Sequence, residues 1–174
     1  MKLIFASLVL ALTMAVSSQA AESSVKLTDV HLCCEGCVKG VTKTVSKISG
    51  VTATSDMDDK TISLTGPDTA TLQKAVDALT AAGYYGKSSD SAIKVSSETG
   101  AKDEKVKSLE VTDLHLCCGS CVKAVNKALG SVSGVTGNTA TKGAKSFTIT
   151  GDFNDKEAMD ALQKAGLTGH VAAK

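Results

Sequence analysis

The segment Ser24 to Thr52 recurs as Ser108 to Thr136 without a gap, so that His31 reappears 84 residues later as His115. More than half of the paired positions are identical, including the run His-Leu-Cys-Cys-x-x-Cys-Val-Lys. The match continues more weakly downstream. Thr61 to Gly66 resembles Ser146 to Gly151, and Ala75, Leu79 and Gly83 line up with Ala158, Leu162 and Gly166. A chain of 174 residues with such a repeat is constrained to fold as two small units of about 65 residues each, not around one large core. The expected division is a leader over 1–20, a first domain over 24–88, a polar linker over 89–106 and a second domain over 107–174.

Hydrophobic periodicity gives each unit the same plan. Val25 and Leu27 alternate with polar residues, as in a half-buried strand. After the cysteines, Val38, Val41, Val45 and Ile48 recur at helical spacing, and Val122, Val125, Leu129 and Val132 repeat that stripe. Gly50 and Gly134 are expected to stop these helices. A hairpin turning at Asp58-Asp59 follows, then a helix started by Pro67-Asp68-Thr69 and ended by Gly83, then a short strand near Tyr84. The order is β-α-β-β-α-β. The predicted class is α+β: two tandem ferredoxin-like domains, each an antiparallel sheet with both helices on one face. The linker, rich in Ser, Lys, Asp and Glu, reads as solvated.

All six cysteines fall in two clusters, His31-Leu32-Cys33-Cys34-Glu35-Gly36-Cys37 and His115-Leu116-Cys117-Cys118-Gly119-Ser120-Cys121, each between the first strand and the first helix. C-x-x-C spacing at that junction turns two sulfurs toward one point beside a helix N-terminus. The positive end of the helix there favours thiolate, the form that binds metal. Soft thiolates select soft ions such as Cu(I) and also bind zinc. Cys33 and Cys117 add a third sulfur to each cluster. His31 and His115 either add a fourth donor or orient the loop.

Each unit resembles a heavy-metal-associated domain, the family of copper chaperones, the metal-binding modules of copper-transporting ATPases and periplasmic mercury carriers. That resemblance covers 24–88 and 107–174. It implies ligand pairs Cys34 with Cys37 and Cys118 with Cys121 for a soft ion; Cys33 and Cys117, which precede the family's first ligand, are expected as additional ligands, for Cu(I), Hg(II) or Zn(II). It also implies ligand-exchange transfer to a membrane metal transporter or another thiol-bearing metal protein. The family's Gly-Met stands here as His31-Leu32 and His115-Leu116. After the second helix Tyr84 and Leu167 replace the lysine common in cytosolic copper chaperones.

Other classes fare less well. With 3% aromatics and no tryptophan, base stacking on single-stranded nucleic acid is not expected. A net charge of +1 gives little attraction for phosphate backbones or anionic lipid. A thioredoxin-like enzyme would carry a proline near its cysteines, whereas Pro67, the one proline, precedes the second helix. The reading is therefore a binding protein and not an enzyme. In an oxidising compartment the cysteines could instead form disulfides, leaving a protein-interaction module. Met1-Lys2, the apolar run Leu3 to Val16 and Ser18-Gln19-Ala20 have the pattern of a secretory leader cut before Ala21. A periplasmic or secreted protein without membrane insertion is the expectation.

Overall fold

The computed structural model of the protein describes residues 22–172. The leader expected over 1–20 lies outside them. The first unit runs β1 (Ser23–Thr28), α1 (Glu35–Val45), β2 (Thr52–Asp56), β3 (Thr61–Gly66), α2 (Thr69–Ala81) and β4 (Lys87–Ser88). The second runs β5 (Lys105–Thr112), α3 (Gly119–Leu129), β6 (Val135–Asn138), β7 (Ser146–Asn154), α4 (Asp155–Lys164) and β8 (His170–Val171). Each forms a four-stranded antiparallel sheet, ordered β2-β3-β1-β4 and β6-β7-β5-β8. The α+β class and the doubled ferredoxin-like order are those anticipated.

Strand alternation puts Val25 and Leu27 of β1 opposite Leu64 and Ile62 of β3, and all four are buried. Against them α2 lays Leu72, Ala75, Val76 and Leu79. Asp68 caps α2, its carboxylate accepting from the Thr71 N–H at 2.7 Å. The α1 stripe is Cys37, Val41 and Val45, spaced by four, so a site cysteine heads the row that anchors its helix.

Two expectations need correction. Gly50 and Gly134 do not cap α1 and α3, which end at Val45 and Leu129. With φ of 76° and 84°, these glycines instead turn the chain into β2 and β6 after a further turn. The linker is not freely solvated. Ile93 is 2% exposed. The Gln73 side chain donates to the Lys94 carbonyl at 2.7 Å and accepts from its N–H at 2.8 Å. Gln163 donates to the Ser97 carbonyl at 3.1 Å, and the Val171 N–H to that of Thr99 at 2.8 Å. A few specific bonds hold a segment whose composition alone reads as loose.

The two units meet along a short antiparallel seam. Tyr84 pairs with Leu167. The Thr168 N–H donates to the Gly83 carbonyl at 3.1 Å. The Tyr85 and His31 N–H groups both donate to the Gly166 carbonyl, each at 3.2 Å. Gly83 and Gly166 have φ of 90° and 77°. A Cβ on Gly166 would collide with the His31 nitrogen, and one on Gly83 with the His115 nitrogen. Only glycine permits this approach. Gly166→Ala should therefore destabilise the chain by about 1–3 kcal/mol in urea unfolding. Gly143→Ala, at φ 81° with open space around it, carries the backbone strain without the collision and should cost about 1 kcal/mol, measurably less than Gly166→Ala. Equal costs would mean that the seam is not tight.

Candidate metal centre

The seam determines where the cysteines go. Asp29 and Asp113, at the ends of β1 and β5, take φ of 61°, a left-handed turn that aspartate tolerates. Val30 and Leu32, with Leu114 and Leu116, then plug into the core. Cys34 and Cys118 stand at the N-caps of α1 and α3, and neither side chain caps its helix, so both sulfurs are free to turn outward. Cys37 and Cys121 occupy the first helical turns and are fully buried, whereas Cys33, Cys34, Cys117 and Cys118 are half-buried.

Because the units face each other, the two clusters merge into one. The Cys33 sulfur lies 3.4 Å from that of Cys118 and 3.6 Å from that of Cys121. Cys117 lies 3.6 Å from Cys34 and 3.5 Å from Cys37. Within the units, Cys33 to Cys37 and Cys117 to Cys121 are both 3.7 Å, and Cys118 to Cys121 is 3.8 Å. All six are free thiols. Gly36 makes room for this, since a Cβ there would stand 3.3 Å from the Cys117 sulfur.

Crowded thiols cannot all ionise, and the cluster divides its protons. The neighbouring Cys121 thiol holds Cys37 far below the usual thiol range, and the same pairing drives Cys121 up. Burial pushes Cys33 and Cys117 up. Burial also opposes ionisation of Cys118, but the Cys121 N–H and the Cys33 thiol outweigh it and bring Cys118 down to about 6. Cys37 and Cys118 are thus acceptors in a network in which Cys33, Cys117 and Cys121 keep their protons.

The two histidines, equivalent in sequence, differ in place. Tyr84 donates its hydroxyl proton to the Cys37 carbonyl at 2.9 Å. Its oxygen therefore accepts from the His115 Nε2–H at 3.2 Å, with the rings 4.7 Å apart. Burial pushes the Tyr84 hydroxyl up, so it stays protonated. The matching residue in the second unit is Leu167, which has no hydroxyl, and His31 Nε2 is buried without a partner. Burial lowers the His31 pKa and keeps its imidazole neutral. A His31 ring nitrogen lies within 4.8 Å of the Cys33 and Cys121 sulfurs. Sequence reasoning missed Tyr84 as the tie between the units; its one visible signal was the break in the repeat at Tyr84 and Leu167.

Residues 27–85, within the first unit, match the heavy-metal-associated domain. The second unit repeats the same element order. No curated protein matches the chain. Among solved structures, the N-terminal soluble domains of Bacillus subtilis CopA are 16% identical, with 88% of this chain and 95% of that one covered and a TM-score of 0.32. The apo heavy-metal-associated domain of the copper chaperone for superoxide dismutase is 22% identical over 51% of this chain and 86% of that one, at 0.35. The first two RRM domains of yeast poly(U) binding protein are 16% identical over 87% and 100%, at 0.27.

The proton distribution has a direct readout. Alkylation of the reduced, metal-free chain at pH 7, mapped by mass spectrometry, should mark Cys118 ahead of Cys33, Cys117 and Cys121. Its rate should fall as pH drops through about 6, where the Cys118 thiolate gains its proton. Uniform labelling of the six thiols would contradict this division.

Proposed function

We propose that the protein captures soft heavy-metal ions, Cu(I) foremost, in one thiolate centre built jointly by its two units. The carrying observation is that the two loops bring six cysteine sulfurs into one continuous cluster, with neighbours 3.4 to 3.8 Å apart. The match of the first unit to the heavy-metal-associated domain supports the same reading. A set of sulfur donors this rich suits Cu(I) or Hg(II) better than a hard ion. Zinc would fill its tetrahedral shell with four donors and leave the rest idle.

The half-buried Cys33, Cys34, Cys117 and Cys118 form the accessible side, and the fully buried Cys37 and Cys121 form the floor. A partner's thiol would approach the accessible side. As its sulfur bonds to the metal, one cysteine sulfur lets go, and the partner thiol's proton passes to the released cysteine. That exchange suits both sequestration and delivery to a membrane metal transporter or another thiol-bearing protein. The leader-like pattern of residues 1–20 supports work outside the cytoplasm, periplasmic or secreted. Bound metal would there keep the thiols from oxidising. Among the described residues no helix is long and apolar enough to cross a membrane.

Elemental analysis of the anaerobically purified, reduced chain tests this. The wild-type protein should retain copper after desalting. A Cys34→Ser, Cys37→Ser, Cys118→Ser, Cys121→Ser variant should retain less than about a tenth as much, since loss of thiolates removes both donors and charge. Retention by that variant equal to wild type would overturn the reading. Affinity should also rise with pH, because the thiols still protonated must give up their protons on binding.

A further inference from the structure

We propose that the centre is polynuclear, taking four Cu(I) ions per chain with thiolates bridging between them. The inference rests on the soft-metal reading above and adds the number of ions and the way their donors are shared.

The donors fall into four groups of three, with the ligand atoms of each group within 4.8 Å of one another. They are Cys34, Cys37 and Cys117; Cys117, Cys118 and Cys121; Cys33, Cys34 and Cys118; and His31, Cys33 and Cys121. Cys33, Cys34, Cys117, Cys118 and Cys121 each belong to two groups, whereas Cys37 and His31 belong to one. Independent two-thiol sites would show pairs standing apart. Here almost every sulfur is a corner common to two triangles, the arrangement a thiolate needs to bridge two ions through separate lone pairs.

Separations point the same way. At a metal–sulfur bond of about 2.3 Å, a linear two-coordinate ion holds its sulfurs roughly 4.6 Å apart, and a three-coordinate ion roughly 4.0 Å. Six sulfur pairs within these groups lie 3.4 to 3.8 Å apart and the others within 4.8 Å, so most are too close for a linear ion and suit three or four donors around each metal, a four-coordinate ion holding its sulfurs roughly 3.8 Å apart. Charge agrees as well. Six thiolates around one monovalent ion would leave a large uncompensated negative charge in a half-buried site. Four monovalent ions cancel most of it, and the N-termini of α1 and α3 face what remains.

The fourth group is closed by nitrogen. The Nε2 of His31 is buried without a partner, whereas the Nε2 of His115 is already taken by Tyr84. Loading involves no redox step, because copper enters as Cu(I). Each thiol still protonated when it binds releases its proton to solvent.

Anaerobic titration of the reduced full chain with Cu(I), against a chromophoric Cu(I) chelator and followed by native mass spectrometry, tests the proposal. Uptake should be cooperative and end at four ions, with weak population of the one-ion species. Saturation at one or two tightly held ions would overturn the polynuclear centre and leave the soft-metal function standing. Failure to withdraw copper from the chelator at all would overturn both. His31→Ala should end at three ions with its circular dichroism unchanged. Four ions in that variant would overturn the His31 assignment and move the fourth corner to Cys37, 3.7 Å from Cys33.

Discussion

The seam where residues 83–85 run beside 166–168 is the interaction on which the site depends. It consists of a few backbone hydrogen bonds and one bridge between Tyr84 and Leu167. Its closeness comes from two glycines in left-handed conformation whose missing Cβ atoms let each unit's second helix end against the other unit's cysteine loop. Separated, the units would each present a three-thiol loop at a helix N-terminus. Docked, they enclose a single sulfur cluster with a buried floor and a half-exposed rim.

The repeat is nearly but not fully symmetric, and the departures sit at the centre. Tyr84 ties the Cys37 backbone to His115 across the seam, and Leu167 makes no equivalent tie for His31. Gly36 lets Cys117 pack against the first turn of α1; its counterpart in the second unit is Ser120. Two copies of one motif thus give one site with distinguishable corners.

Much of the fold was legible in the sequence because it follows from local patterns. The alternation of Val25 and Leu27, the four-residue spacing of Val41 and Val45 and the Asp68 cap each name their element without help from the rest of the chain. The six cysteines, too, stood out as the candidate ligands, although not as one cluster. What could not be read was how the units sit together. Backbone bonds at Gly83 and Gly166 have no sequence signature beyond the glycines, which read equally well as helix stops. The merging of two clusters into one, the use of Tyr84 and the inequality of His31 and His115 all follow from that docking. The ordered linker escaped for a similar reason, since Gln73 and Ile93 hold it through contacts that its polar composition conceals.

Disabling one unit's cysteines separates a jointly built centre from two independent sites. In a Cys33→Ser, Cys34→Ser, Cys37→Ser variant of the full chain, the Cys117, Cys118 and Cys121 loop remains intact. A shared centre predicts that this variant loses more than half of the wild-type copper capacity and binds what is left far more weakly. Half the capacity held at undiminished affinity would show two independent sites and contradict the account.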